Sequence, residues 1–217
     1  MPIFILNIPN TITIFRFLMI PMACIPLLPI FGAHSFNTLL MTSFFFIFAA
    51  STDFLDGYFA RKLNQMTEWG AYMDPLVDKF LIWGLYLVFI FIPDLKIPAW
   101  TFIIILLRDF LVTQMRNYAL HYNISFKTSF LAKIKTAGQM IIGGFVLLFL
   151  LVSYHLNSIA NIPQENYLTY WQNNYYLANL PSFLVILVTI FTGITGVDYA
   201  YALYRQIKSN HKKHPKK

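Results

Sequence analysis

Four aspartates stand in two close pairs, Asp53 with Asp56 and Asp74 with Asp78, in a chain that has only nine acidic residues. A spacing of three or four places both members of a pair on one helix face. A short connection makes the two helices antiparallel neighbours, so the four carboxylates can converge. A set of hard oxygen donors suits Mg²⁺, Mn²⁺ or Ca²⁺, and no His/Cys cluster points to zinc. Two such ions can clamp a phosphoryl group and polarise a hydroxyl. The small residues Gly57, Ala60, Gly70 and Ala71 flank the carboxylates and permit close approach of a helix or a flat ligand. Simpler readings exist for the second pair. Asp74 before Pro75 has the form of a helix N-cap, and Asp78 would favour the dipole of a first turn. Asp53 and Asp56 lie near a helix C-terminus, where the dipole disfavours anions.

The elements that must position these groups are membrane spans. The chain has 217 residues, 58% apolar, with a mean hydropathy of +0.59, which fits one integral membrane domain rather than a soluble globule. A span needs about 20 mostly apolar residues. The pattern predicts an all-α protein with six transmembrane helices, over roughly 11–31, 38–60, 74–92, 98–120, 134–154 and 180–204. A short interfacial segment over residues 1–10 precedes them, and residues 61–73 form a polar connection. Pro21, Pro26 and Pro29 should kink or end the first span. Residues 155–178, with Trp171, Tyr175 and Tyr176, suit the membrane–water boundary.

An aspartate at a span centre costs about 2.5–3.5 kcal/mol to insert, so four together need a compensating charge. The connections after spans two and four and the tail carry the Lys and Arg residues, whereas the connection after span three offers only Lys96. This alternation puts both termini, and all four aspartates, on the cytoplasmic side. The net charge of +7 is concentrated in the tail, which beside a span reads as a contact with anionic lipid rather than with nucleic acid. The domain therefore covers 1–205, with a basic tail over 206–217. The first ten residues carry no basic side chain, so no cleavable signal is expected. The single cysteine, Cys24, excludes an intramolecular disulfide and reads as packing.

The pattern D-x-x-D-G-x-x-A-R-x8-G-x-x-x-D-x-x-x-D, formed by Asp53, Asp56, Gly57, Ala60, Arg61, Gly70, Asp74 and Asp78, resembles the signature of the CDP-alcohol phosphotransferases. The resemblance implies a six-span enzyme, usually a homodimer, that transfers a phosphatidyl or related group from a CDP-linked donor to an alcohol and releases CMP. It implies that Asp53, Asp56, Asp74 and Asp78 hold Mg²⁺ or Mn²⁺, two ions in the family's manner, that Asp78 is also the general base, and that the nucleotide lies against Gly57, Ala60 and Arg61.

Asn7–Arg16, Met73–Lys79, Arg108–Arg116 and Lys133–Met140 further resemble bacterial phosphatidylglycerophosphate synthases, which act at the bacterial cytoplasmic (inner) membrane on CDP-diacylglycerol and sn-glycerol 3-phosphate. Such an acceptor needs a cationic pocket, for which Arg116, Lys133 and Lys135 are the candidates. Thr13 and Arg16, one turn apart, are candidates for the donor pyrophosphate. Asp109 follows the arginine of span four where the family usually has Glu. That Arg-Asp pair also occurs in CDP-diacylglycerol-type cardiolipin synthases, which makes phosphatidylglycerol the alternative acceptor. A cation transporter would place acids near the midplane on broken helices, often with an inverted repeat; no repeat is visible here.

Overall fold

The computed structural model describes residues 8–28, 35–62, 68–121, 130–162 and 168–213, with only the backbone described for residues 8–9, 53–62, 68–69, 71–72, 120–121, 130, 132 and 209–213. Every regular element among them is helical: α1 (Ile8–Cys24), α2 (Phe36–Lys62), α3 (Glu68–Ile90), α4 (Ala99–His121), α5 (Phe130–Ile159) and α6 (Tyr175–Lys213), with short 3₁₀ turns at Ile25–Leu27, Pro93–Leu95 and Thr169–Trp171. Three of the helices are long and apolar enough to cross a membrane, over Asn10–Leu27, Lys133–Ile159 and Tyr175–Lys208. Large apolar side chains such as Phe44, Ile47, Ile141, Leu148 and Ile194 face outward. In water such a surface would drive association; in lipid it is the ordinary exterior of a membrane protein.

Cross-helix contacts give the directions. Thr13 meets Asp74, Arg16 meets Asp78, and Ile20 and Cys24 flank Gly84. The numbers rise together, so α1 and α3 run parallel and in register. Lys79 meets Thr113 and Trp83 meets Asp109; here they run opposite, so α3 and α4 are antiparallel. Lys96, Ile104 and Arg108 meet Ser182, Gly193 and Gly196 in turn, which makes α4 and α6 parallel. Trp83 shares Asp109 with Lys135 and Tyr86 meets Gln139, so α5 runs with α3, while Phe46 and Phe36 of α2 meet Gly143 and Tyr154 of α5, so α2 runs against it. The beginnings of α1, α3 and α5 and the ends of α2, α4 and α6 consequently lie at one end of the bundle.

Lipid is as apolar as leucine, so helix association in a membrane rests on close packing and cross-helix hydrogen bonds rather than on apolar burial. The glycines show the packing. A Cβ on Gly84 would lie 2.7 Å from Cys24 Sγ, and one on Gly143 would lie 2.7 Å from Leu85 Cδ2. Cys24 is buried here, as its apolar setting predicts. Gln139, fully buried in α5, accepts from Tyr86 Oη of α3 through its backbone carbonyl at 3.1 Å and donates through Nε2 to Thr192 of α6 at 3.1 Å. The stretch between α5 and α6 folds back: Trp171 stacks on Phe149 and donates to Ser153 Oγ at 2.8 Å.

Several boundaries differ from expectation. The connection expected over 61–73 is shorter, because α2 continues to Lys62 and α3 begins at Glu68. Pro75 therefore lies inside α3, and Asp74 is not its cap; the carboxylate is taken instead by Thr13 across the helix interface. The first helix ends at Cys24 and tightens into a 3₁₀ turn containing Pro26, short of the expected position 31. The last helix runs on to Lys213, into the basic tail. The interfacial segment expected over residues 1–10 falls mostly outside the described residues.

Candidate active site

Asp74 and Asp78 sit one turn apart near the start of α3, and α1 reaches both. Thr13 Oγ1 donates to Asp74 Oδ1 at 2.7 Å, and Arg16 NH1 donates to Asp78 Oδ1 at 2.9 Å. The parallel register explains the fit, since steps of three along α1 and four along α3 each keep one face. Arg16 has no exposed surface, while the Asp78 side chain is 27% exposed. The Arg16 guanidinium therefore does not reach a lipid or water surface; its charge is met within the protein. Thr13 and Arg16 thus lie against two of the predicted metal-binding carboxylates. The other two, Asp53 and Asp56, lie three apart on the last turns of α2, and Gly57, Ala60 and Arg61 follow on the same helix. The side chains of these five lie outside the described residues.

Asp78 opens onto a cavity of about 510 Å³ between α3, α4 and α5. Five cations line it, Lys79, Arg108, Arg116, Lys133 and Lys135, against two carboxylates, Asp78 and Asp109. The structure thus brings Arg116, Lys133 and Lys135 to one space with Asp78. Their environments differ. Lys135 is 2% exposed and its Nζ lies 2.6 Å from Asp109 Oδ1. Arg116 and Lys133 are exposed and form no ion pair with another described residue. Arg108 donates to Asp109 Oδ1 at 3.1 Å and to Thr195 Oγ1 of α6 at 3.1 Å. A Cβ on Gly196 would stand 2.8 Å from Arg108 Cγ, so only glycine leaves room for this arginine. Lys79 donates to Thr113 Oγ1 at 2.7 Å, and that hydroxyl donates to the Asp109 carbonyl at 2.7 Å.

Lys79, Arg108, Asp109 and Thr113 are cavity residues that the motif reasoning did not assign. The signal was present, because an ionisable residue within a span marks a functional site by default. Lys79 directly follows Asp78, and Arg108 and Asp109 were the charged pair of span four.

The carboxylates present fit a hard divalent cation by donor chemistry: Asp74 and Asp78 offer only oxygen, one turn apart, with Asp78 facing the cavity. An all-helical membrane protein that brings carboxylates and a surplus of cations to one cavity has the form of a membrane enzyme for phosphate-bearing substrates. The chain belongs to the CDP-alcohol phosphatidyltransferase family, which it matches over residues 6–172. Three curated relatives share the name CDP-diacylglycerol–glycerol-3-phosphate 3-phosphatidyltransferase. The protein of that name from Bacillus subtilis (strain 168) is 37% identical over 166 residues, 71% of this chain and 85% of its own. That of Wigglesworthia glossinidia brevipalpis is 34% identical over 141 residues, 63% of this chain and 74% of its own. That of Rickettsia bellii (strain RML369-C) is 36% identical over 135 residues, 62% and 71%.

Proposed function

We propose that this enzyme transfers the phosphatidyl group of CDP-diacylglycerol to the 1-hydroxyl of sn-glycerol 3-phosphate, forming phosphatidylglycerophosphate and CMP. The observation that carries this reading is the single cavity in which Asp78 faces Arg116, Lys133 and Lys135. An alcohol bearing a phosphate needs a base for its hydroxyl and cations for its charge, and this space offers both. The relatives' shared name supports the same donor and acceptor.

In this mechanism the acceptor phosphate binds Arg116 and Lys133, with Lys135 contributing an N–H from the wall. Arginine offers two parallel donors to a phosphate and lysine a compact charge. Held there, the acceptor turns its 1-hydroxyl toward Asp78, which takes the proton as the oxygen attacks the phosphorus next to the diacylglycerol. The bond from that phosphorus to the CMP oxygen breaks, and CMP leaves. Gly57, Ala60 and Arg61 hold the nucleotide, and Thr13 and Arg16 orient Asp74 and Asp78 and border the donor pyrophosphate. Asp53, Asp56, Asp74 and Asp78 would hold Mg²⁺ or Mn²⁺, two ions in our reading, which when bound neutralise the phosphate charge. Beyond proton transfer, the protein's part is positioning and electrostatics.

The same reading places six spans in a bacterial cytoplasmic membrane, both termini and the active site facing the cytoplasm, with the basic tail (206–217) against anionic lipid and the domain (1–205) assembled as a homodimer. The alternation of helix direction and the clustering of Lys and Arg at one end of the bundle support this topology. The test is CMP release by the purified protein in detergent with CDP-diacylglycerol and Mg²⁺, comparing two acceptors. Turnover with glycerol 3-phosphate is expected; turnover with phosphatidylglycerol alone would make it a cardiolipin synthase instead.

A further inference from the structure

The carboxylate of Asp109 is 4% exposed and collects donors from three helices. Lys135 Nζ of α5 lies at 2.6 Å and Arg108 NH1 of α4 at 3.1 Å, both on Oδ1, while Trp83 Nε1 of α3 lies at 3.3 Å on Oδ2. A lysine ammonium rides on a flexible four-carbon stem and can place its charge over a wide arc. Fixed to a buried carboxylate, Lys135 keeps one position on the cavity wall, with two further N–H groups to present. Arg108 is fixed twice more, by Thr195 and by the lack of space at Gly196. Apart from Lys79, which bonds Thr113, the cations of the cavity therefore fall into two sets. Lys135 and Arg108 are held in place and share the one negative charge of Asp109, whereas Arg116 and Lys133 are exposed.

A buried ion pair adds little net stability over apolar side chains of the same volume. Stability alone therefore does not account for one on the wall of a polar cavity. The geometry points to Asp109 as a positioning residue for the acceptor. It does not touch the acceptor; it fixes Lys135 and Arg108 so that the acceptor phosphate settles at one distance from Asp78. The exposed Arg116 and Lys133 supply attraction, and the fixed pair supplies register. This inference rests on the cavity being the acceptor site.

The test measures KM for glycerol 3-phosphate and for CDP-diacylglycerol, together with kcat and melting temperature, on the full-length protein. Asp109→Asn should raise KM for glycerol 3-phosphate about tenfold, the scale of one charge-assisted hydrogen bond, and leave KM for CDP-diacylglycerol unchanged. Asp109→Glu should restore part of the loss, since a carboxylate remains. If Asp109→Asn does not fold, the double variant Asp109→Asn/Lys135→Met, which leaves no unpaired buried ammonium, carries the test. Its KM for glycerol 3-phosphate should match that of Lys135→Met alone, because Thr195 and Gly196 still hold Arg108 and Asp109 otherwise acts through Lys135. Three results would overturn the inference: an unchanged glycerol 3-phosphate KM in folded Asp109→Asn, an equal rise for both substrates, or a double variant well above Lys135→Met. A wild-type enzyme that turns over phosphatidylglycerol but not glycerol 3-phosphate would instead remove the acceptor reading, and this inference with it.

Discussion

Arg16 of α1 and Asp78 of α3 meet at 2.9 Å, the arginine wholly buried and the carboxylate partly open to the cavity. The pair ties the first helix to the residue proposed as the base. Removing one partner of a buried pair costs about 3–5 kcal/mol, and the exposure of Asp78 argues for the low end. Arg16→Ala should therefore lower the melting temperature in detergent and also lower kcat, because Asp78 loses its fixed orientation. A variant with unchanged melting and unchanged turnover would show that the pair does neither.

Asp78→Asn keeps an oxygen for Arg16 to bond but removes the proton acceptor. Turnover should fall by about 10²–10⁴-fold, the range of general base catalysis, with little change in melting. CMP release near the wild-type rate would take the base role away from Asp78.

The proposed mechanism gathers four carboxylates near a phosphoanhydride, an arrangement that would require cations. Excess chelator should abolish CMP release, and Mg²⁺ or Mn²⁺ should restore it. Activity that survives exhaustive chelation would sink the metal assignment for Asp53, Asp56, Asp74 and Asp78.

Arg116 and Lys133 are the exposed cations of the cavity. Arg116→Ala and Lys133→Ala should each raise KM for glycerol 3-phosphate about tenfold, more than KM for CDP-diacylglycerol. Steady-state kinetics with each substrate varied in turn decides this. The reverse ranking would assign these residues to the donor.

The helical class, the six helices and the gathering of Asp78 with Arg116, Lys133 and Lys135 were legible in the sequence. Hydropathy and the spacing of charges are local quantities, and the distribution of Lys and Arg reports which helix ends lie together. The start of α3 was not legible. Asp-Pro has the form of a helix start, yet Asp74 turns to Thr13 and the helix begins earlier. That bond depends on the register of α1 against α3, which no local rule encodes. The role of Asp109 was hidden for the same reason. Its donors come from positions 83, 108 and 135, and only packing brings them together. The two carboxylates on α2 were the clearest sequence signal, and their side chains lie outside the described residues.

Helix α6 places two opposite rules next to each other. Val197 is 72% exposed; facing a bilayer in the proposed topology, it would need only to be apolar, so substitution there should drift freely over evolutionary time. Gly196, its neighbour, cannot take a single methyl without displacing an arginine anchored at both Asp109 and Thr195. Divergence in such a protein is therefore uneven at the scale of one residue. Its rate should depend on whether a side chain meets lipid or a clamped neighbour more than on distance from the chemistry.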